Sequence, residues 1–494
     1  MRLMRGSTRR LSTGPILTPE NLSPTCLKAE YAVRGELVLK AMEYDATLRE
    51  CRQAGKPSPF PWEKLVFCNI GNPQSLNQKP MTFFRQVLAL CDHPELIDAP
   101  EAASLFPADA RQRARDLLAG MPGGTGAYSE SQGLRVIREH VAEFIEARDG
   151  YKSSPDNIFL ADGASGAISV MINLLIRNSS DGIMIPIPQY PLYTATIALN
   201  DAKAVPYYLN EESQWGLTMA ELQRSLDAAK AEGTNVRGLV VINPGNPSGA
   251  CLQRADQEDI VRFCMDNDIV LFADEVYQAN IYNPQRPFTS FKKIAVETEC
   301  TTEVLSFHST SKGFIGECGR RGGYMETFNV SPEVKAQIYK MVSINLCSNV
   351  SGQVMVDLMV KPPQPGEPSY ERFHQEETAV FESLQRRAAR LSDALSNMKN
   401  VSCSTIDGAM YAFPRVHLPE KAVAAARDAG KSPDAFYALR LLAATGVCVV
   451  PGSGFGQREG TYHVRTTFLP PEQDMEDVVR RFSQFNDEFM AEFE

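Results

Sequence analysis

A short segment at residues 306–324, SFHSTSKGFIGECGRRGGY, places Lys312 three residues after Ser309 and Arg321 nine residues further on. A lysine amine can bond to an aldehyde, and an arginine beside a serine can hold a phosphate through charge-assisted hydrogen bonds. The five glycines let the backbone approach a ligand closely. A serine, a reactive lysine and an arginine on one loop are what a pyridoxal phosphate site requires. Without matching residues at the other strand ends, a surface lysine in a glycine-rich loop would be the better interpretation.

Polar side chains that suit the ring of such a cofactor follow two other predicted strands. Asp274 comes directly after the apolar run DIVLFA, and Tyr277 lies three residues later. A buried carboxylate beside a pyridinium nitrogen keeps that nitrogen protonated, and a phenol can donate to a phenolate-like ring oxygen. After GLVVIN, the turn PGNPSG exposes Asn246, whose side chain both donates and accepts hydrogen bonds.

Two further strand ends fit the phosphate and the face of the ring. After NIFLA, the turn DGASGAI brings Ala164 and Ser165 to the start of a helix, where N–H groups and the dipole favour a phosphate. After GIMIPI, the segment PQYPLY holds Tyr190 between two prolines, where its ring can stack on a planar ligand. Judged alone, the first is a common turn and the second an ordinary core tyrosine.

An acid after an apolar strand also occurs in nucleotide triphosphatases, where it holds magnesium. That interpretation requires G-x-x-x-x-G-K-[ST] elsewhere in the chain. The nearest match, AARDAGKS at 425–432, has Ala425 in place of the first glycine and follows a helical pattern. The triphosphatase interpretation therefore fails.

These residues must be brought together by a sheet. Between about 155 and 325, β-branched runs at 157–161, 182–187, 204–209, 238–243, 268–273 and 303–309 alternate with helical patterns at 166–177, 218–231 and 255–267. Such alternation predicts an α/β fold with a mostly parallel sheet between helices, and a ligand at the carboxyl ends of its strands. Further helices are predicted at 27–53, at 331–360 and at 371–397.

Length and composition set the remaining limits. A chain of 494 residues, 43% hydrophobic and 22% charged, is expected to form two globular domains. A net charge of −10 argues against nucleic acid as a partner, and no apolar run is long enough for a membrane helix. Eleven scattered cysteines and six histidines show no metal-binding spacing. The predicted boundaries are an extension at 1–24, small-domain segments at 25–105 and 366–494, and a large cofactor-binding domain at 106–365.

The first residues have their own composition. MRLMRGSTRRLSTG contains four arginines, and no acidic residue precedes Glu20. This composition is typical of a mitochondrial presequence, with an ordinary disordered tail as the equal alternative. We therefore expect the mitochondrial matrix or the cytoplasm. The final residues, AEFE, lack the common peroxisomal address.

Together these motifs resemble those of the class I aminotransferases of pyridoxal phosphate fold type I, in their alanine aminotransferase branch. The matching segments, in the family's order, are FCNIGNPQSLNQKPMTFFRQVLALCDHPEL, GGTGAYSESQGLRVIREHVAEFI, DGASGAI, NPGNPSG, ADEVYQ and SFHSTSKGFIGECGRRGGYME. The resemblance extends from about residue 25 to the C-terminus. It implies a large domain with a mostly parallel sheet between helices and a smaller α+β domain.

Carried over position by position, the resemblance implies the contacts of the cofactor ring. Lys312 would link covalently to the aldehyde and then serve as the general base. Asp274 would pair with the ring nitrogen, and Asn246 and Tyr277 would hold the ring hydroxyl oxygen. Tyr190 would stack on the ring.

The resemblance also implies the ligands of the phosphate and of the substrate. The phosphate would be bound by Ala164, Ser165, Ser309 and Arg321. Arg320 is only one residue away, and the family's spacing favours Arg321. Tyr128 would reach the phosphate of the neighbouring subunit in a homodimer. Arg465, in YHVRTTFL, would clamp the substrate carboxylate, beside Asn246 and the backbone of Gly71.

The activity implied is ping-pong transfer of the amino group of L-alanine to 2-oxoglutarate, giving pyruvate and L-glutamate. A glutamate–glyoxylate (alanine–glyoxylate) aminotransferase of the same branch is the first alternative, and the missing peroxisomal address counts mildly against it. A lyase of the aminocyclopropane carboxylate synthase type is disfavoured by the extended GECGRRGGY loop. A non-catalytic pyridoxal phosphate-binding protein is disfavoured because every catalytic position holds a competent residue.

Overall fold

The computed structural model describes residues 17–29 and 35–494. The helices are α1 (Pro24–Lys28), α2 (Glu36–Gln53), α3 (Thr82–Asp92), α4 (Ala102–Leu105), α5 (Ala108–Ala119), α6 (Arg135–Asp149), α7 (Gly163–Leu175), α8 (Leu192–Leu199), α9 (Met219–Ala231), α10 (Arg254–Asp266), α11 (Phe291–Glu297), α12 (Pro332–Ser343), α13 (Val350–Val360), α14 (Tyr370–Ser396), α15 (Glu420–Asp428), α16 (Pro433–Thr445) and α17 (Glu472–Phe493). The strands are β1 (Val66–Phe67), β2 (Ile158–Asp162), β3 (Asp181–Ile187), β4 (Lys203–Tyr208), β5 (Asn235–Ile242), β6 (Val270–Asp274), β7 (Val304–Ser309), β8 (Gly322–Phe328), β9 (Val401–Ser402), β10 (Tyr411–Ala412), β11 (Arg415–Val416), β12 (Val447–Cys448), β13 (Val450–Pro451) and β14 (Val464–Thr467).

A central sheet of seven strands has the order β2-β8-β7-β6-β5-β3-β4. Strands β7, β6, β5, β3 and β4 are mutually parallel, whereas β8 runs antiparallel to both of its neighbours. The predicted α/β fold with a mostly parallel sheet is confirmed. The sequence patterns do not predict β8, because its glycines at the start, GGYMETF, resemble the loop that precedes it. Pairing with β2 and β7 on its two sides makes this segment a strand.

Both faces of the sheet are covered. In β6, Phe272 packs in an apolar cluster that includes α7, whereas Leu271 and Ala273 pack in a second cluster with α9, α10 and α11. Alternate residues of a strand point to opposite faces, so an apolar run of this kind indicates a strand buried on both sides. The site residues at the strand ends therefore sit on a rigid support.

The helix predicted at 331–360 is in fact two helices, α12 and α13. Between them Leu346 has a φ of +66°, in the left-handed region that a right-handed helix cannot continue through. Asn349 then caps α13, with its side chain accepting from the Gly352 amide at 2.7 Å. In the N-terminal helix predicted at 27–53, residues 30–34 lie outside the described part of the chain, and α1 and α2 lie on either side of them.

The N-terminal segment packs against the C-terminal part of the chain. Strand β1 pairs in parallel with β12, with Val66 opposite Val447, and the Trp62 indole donates to the Ala443 carbonyl at 3.0 Å. The domain boundaries at 24, 105 and 365 stay predictions. Across residues 17–29 and 35–494, no helix combines the length and the apolar character needed to cross a membrane.

Gly446 is expected to be essential for this packing. It has a φ of +68°, and a Cβ there would lie 2.6 Å from the Trp62 ring. We predict that Gly446→Ala lowers the free energy of unfolding by about 2–4 kcal/mol, because backbone strain and overpacking add together. Equilibrium unfolding in urea measures the loss.

Gly430→Ala is the matched control, because Gly430 has a φ of +66° and open space where its Cβ would lie. This control should lose only the backbone contribution of about 1–2 kcal/mol. Equal losses in the two variants would show that the contact with Trp62 contributes nothing.

Candidate active site

A cavity of about 570 Å³ opens at the carboxyl ends of the parallel strands. Its walls include most of the residues that the sequence singles out, namely Gly71, Ala164, Ser165, Tyr190, Asn246, Asp274, Tyr277, Ser309, Lys312, Arg321 and Arg465. Because parallel strands end at one edge of a sheet, residues far apart in the sequence meet here.

One end of the cavity is suited to an anion. Arg321 donates to the Asp162 carbonyl at 3.1 Å and to Ser165 Oγ at 3.4 Å, beside the N-terminus of α7. A Cβ on Gly163 would lie 2.6 Å from the guanidinium, so glycine is required for this approach. A cation, a hydroxyl and free helix N–H groups together suit a phosphate. Of the two adjacent arginines, Arg321 lines the cavity and Arg320 is not among its lining residues within the described chain.

Asp274 lies at the end of β6 with only 5% of its surface exposed. Burial raises the pKa of its carboxyl group to about 6, although the Tyr193 hydroxyl donates to it at 2.7 Å and Lys312 favours the charged form. A cationic ring nitrogen beside this carboxylate would compensate for the lost hydration. Asp274 can therefore hold a pyridinium.

Lys312 extends into the middle of the cavity. Its Nζ donates to the Gly71 carbonyl at 3.1 Å and lies 5.7 Å from the centre of the Tyr277 ring. A Cβ on Gly71 would lie 2.0 Å from Tyr411 Oη and 3.2 Å from Lys312 Nζ. Only glycine fits at this position, so the backbone at Gly71 forms part of the wall.

Arg465 carries a buried positive charge. It is 1% exposed, donates to Asn246 Oδ1 at 3.2 Å and to the Asn69 carbonyl, and its guanidinium lies 4.3 Å from the Tyr411 ring and 4.6 Å from the Phe455 ring. No acidic side chain among the described residues pairs with it, and its Nε has no partner there. An unbalanced buried charge is costly, so this arginine is suited to a ligand carboxylate.

Two tyrosines of the site are missed by the sequence patterns. Tyr193 belongs to the quoted segment PQYPLY, and its position on α8, three residues after Tyr190, is the signal that could have identified it. Tyr411 lies on β10 in the segment GAMYAF, which contains no recognisable motif. It reaches the cavity because the preceding residues bond to the loops after β5 and β6: the Gly408 amide donates to the Gly249 carbonyl at 2.8 Å, and the Ala409 amide to the Asn280 carbonyl at 3.0 Å.

Tyr128 is not brought into this cavity. It is 78% exposed and lines a separate surface depression with residues of the 120–139 region. Its predicted contact with the phosphate of a neighbouring subunit stays a prediction. Among the described residues, no cluster of histidine, cysteine, aspartate and glutamate is arranged to hold a metal ion.

Comparison of the whole sequence identifies related proteins. Alanine aminotransferase 2 of Panicum miliaceum is 52% identical over 478 residues, which cover 96% of this chain and 98% of that protein. A probable mitochondrial alanine aminotransferase of Dictyostelium discoideum is 50% identical, over 97% of this chain and 90% of that protein. Glutamate–glyoxylate aminotransferase 2 of Arabidopsis thaliana is 49% identical, over 96% of both.

Solved structures share the fold at much lower identity. An aminotransferase from Escherichia coli superimposes with a TM-score of 0.73 at 22% identity, over 97% of this chain and all of that one. An alanine aminotransferase from Pyrococcus furiosus gives a TM-score of 0.72 at 22% identity, over 94% of this chain and all of that one. The family model for aminotransferases of class I and II matches residues 99–482. By sequence and by fold, the chain belongs to the class I and II aminotransferases.

Proposed function

We propose that this chain is an alanine aminotransferase, which transfers the amino group of L-alanine to 2-oxoglutarate and gives pyruvate and L-glutamate. The observation that carries the proposal is that Lys312, Asp274 and Arg465 line one cavity with an anion-binding end at Arg321. Relatives about half identical to the chain are named alanine aminotransferases. Their alignment covers almost the whole length of both proteins.

Enzymes of this family depend in general on pyridoxal phosphate, and the cavity fits it. Arg321 with Ser165, Ala164, Ser309 and the start of α7 would hold the phosphate, and Asp274 would hold the protonated ring nitrogen. Asn246 and Tyr277 would hold the ring hydroxyl oxygen, and Tyr190 would cover the ring. When bound, the cofactor supplies an aldehyde for the amino group and a ring that accepts the electron pair released at the substrate α-carbon.

The residues of the chain supply the binding and proton transfer. Arg465 binds the substrate carboxylate, and Asn246 orients the guanidinium by accepting from it. The Lys312 amine would remove the α-proton as a general base and would then donate a proton as a general acid. Tyr193 fixes the Asp274 carboxyl group through its hydrogen bond. Burial of Arg465 between two rings keeps water from its charge.

A glutamate–glyoxylate aminotransferase is the second candidate, because relatives with that name are 49% identical. Both activities use the same cofactor chemistry and differ in their amino-acid and oxo-acid pairs. The chain would also form a homodimer, as is typical of the family, with Tyr128 reaching the partner's phosphate site. The exposure of Tyr128 and of the apolar Tyr339, Ile344 and Leu346 supports such an interface.

We also propose a mitochondrial location, with the cytoplasm as the alternative. Several close relatives are named mitochondrial. The arginine-rich segment on which the sequence-based expectation depends lies within residues 1–16, outside the described residues. The support for an import signal in that segment is its arginine-rich composition.

The function is tested by the first half of the reaction alone. Holoprotein incubated with L-alanine and no oxo acid should release about one pyruvate per site and then stop until an acceptor is added, as ping-pong chemistry requires. Initial rates with 2-oxoglutarate and with glyoxylate then rank the two acceptors. Lys312→Ala should lose at least about a thousandfold in turnover, since it removes the proton-transfer group. No pyruvate from the wild type, or near-normal turnover by Lys312→Ala, contradicts the proposal.

Arg465→Lys should keep the charge and lose the forked geometry that binds a carboxylate. We expect KM for alanine to rise by about 10–100-fold, the range for losing hydrogen bonds to a charged group. Steady-state kinetics measure this. Arg440→Lys, in an exposed pair with Glu492, is the control and should leave KM unchanged.

The charge on Asp274 should make cofactor affinity depend on pH. Its carboxyl pKa of about 6 in the cofactor-free chain means that the group is neutral below and charged above that value. A pyridinium favours the charged form, so affinity for pyridoxal phosphate should rise as the pH increases towards about 6 and level off above it. Asp274→Asn keeps the shape of the side chain but cannot ionise. The affinity for pyridoxal phosphate is measured against pH in both proteins, and the difference between the two curves is the contribution of the Asp274 charge. Parallel curves would contradict the assignment.

A further inference from the structure

Tyr411 occupies the space between the lysine and the arginine of the site. It is 2% exposed, and the Arg465 guanidinium lies over its ring at 4.3 Å. Its Oη would lie 2.0 Å from a Cβ on Gly71, and Lys312 Nζ would lie 3.2 Å from the same point. The two atoms are therefore at most 5.2 Å apart, which is the sum of those distances.

The hydrogen bonds around Tyr411 form a directed chain. Asn246 Nδ2 donates to Tyr277 Oη at 3.4 Å, and the Tyr277 hydroxyl donates in turn to Tyr411 Oη at 3.4 Å. The amide oxygen of Asn246 accepts from Arg465 at 3.2 Å. Tyr411 is thus connected to Arg465 in two ways: its ring contacts the guanidinium directly, and its oxygen is the last acceptor in the series of hydrogen bonds through Asn246 and Tyr277.

The charges around Tyr411 distinguish it from its neighbour. Burial favours a neutral phenol, yet Lys312, Arg465 and the hydrogen bond from Tyr277 together lower the pKa of Tyr411 below its ordinary value. Burial raises the pKa of Tyr277 well above the ordinary value. Of the two linked phenols, Tyr411 is the hydrogen-bond acceptor and lies against Arg465, so a negative charge is favoured on its oxygen over that of Tyr277.

The other groups that face Tyr411 come from several elements. The loop after β7 supplies Lys312 and Cys318, and burial raises the pKa of this thiol. The end of β6 supplies Asp274, which is charged above about pH 6, and the turn that follows β6 supplies Tyr277. Strand β14 supplies Arg465. In the alkaline range Tyr411 is therefore the anion-forming group that lies against both cations.

We propose that Tyr411 is a positioning residue: binding of a carboxylate at Arg465 determines whether the Tyr411 oxygen, which lies close to Lys312, carries a proton. This inference rests on the proposed function. A carboxylate on Arg465 offsets the positive charge over the ring. The Tyr411 oxygen then takes a proton from solvent and becomes a neutral hydroxyl next to the lysine. Substrate binding thereby sets the protonation of the site before the α-proton moves.

The test uses propionate, which has a carboxylate and no amino group to react. The full chain, with and without cofactor, is titrated with propionate at about pH 8–10, near the ordinary tyrosine pKa, while the ultraviolet absorbance of tyrosinate is followed. We expect propionate to reduce that absorbance in the wild type and not in Tyr411→Phe. Tyr437→Phe, which removes a buried hydroxyl bonded to Asn486 in the C-terminal part, should behave as the wild type.

Two variants separate the roles of the ring and the hydroxyl. Tyr411→Phe keeps the ring under Arg465 and removes the ionisable oxygen, so its propionate affinity should not fall below that of the wild type, whereas Tyr411→Leu should lose about tenfold, a typical cation–π contribution. With alanine, Tyr411→Phe should lower kcat about tenfold and change the alkaline limb of the pH profile.

Three results would overturn the inference: an unchanged absorbance in the wild type, the same absorbance loss in Tyr411→Phe, or no binding of propionate. Normal alanine turnover with any of these leaves the proposed function intact. A different outcome would be no turnover of alanine, together with a propionate-induced loss of tyrosinate absorbance that occurs in the wild type and not in Tyr411→Phe. That result would reject alanine as the substrate and support the coupling.

Discussion

Arg465 holds a positive charge where almost no water reaches it, and no carboxylate in the described part of the chain balances that charge. A buried ion that lacks a partner is one of the least favourable arrangements in a protein. Here it is tolerated because two aromatic rings, an amide oxygen and a backbone carbonyl partly replace its hydration. Each of these groups is fixed by its own element, so the requirement to hold one arginine constrains strands, loops and aromatic residues from both ends of the chain.

The remaining charges of the cavity follow the same principle. Asp274 is a buried carboxylate whose hydrogen-bond donor, Tyr193, only partly offsets its desolvation. Arg321 lies in another part of the cavity wall, near backbone carbonyls and a helix N-terminus. The cavity therefore needs a ligand with a cation near one position and anions near two others. A pyridinium with a phosphate, joined to an amino acid, has this distribution of charge.

Much of the fold and site is predictable from the sequence, for a physical reason. In a parallel sheet the strand ends share one edge, so Asn246, Asp274 and Lys312 can be placed together from local patterns alone. Tyr411 cannot, because its position depends on backbone hydrogen bonds from Gly408 and Ala409 to Gly249 and Asn280, more than a hundred residues earlier. The break at Leu346 depends on one backbone angle, and strand β8 depends on its two neighbours rather than on its own residues. The predicted contact of Tyr128 with a neighbouring subunit would depend on a second chain.

The contact of Asn69 with Arg465 joins the first part of the chain to the last. Two residues later, the Gly71 carbonyl accepts a hydrogen bond from Lys312, and strand β1 pairs with β12. On a ribosome, the N-terminal segment emerges early and must wait for almost the whole polypeptide before its partners exist. The central sheet can form in the meantime, since domains generally fold as units during synthesis. A nascent chain can thus form the strand ends at Asp274 and Lys312 while it still lacks Arg465, and the cavity is complete only when synthesis is nearly finished.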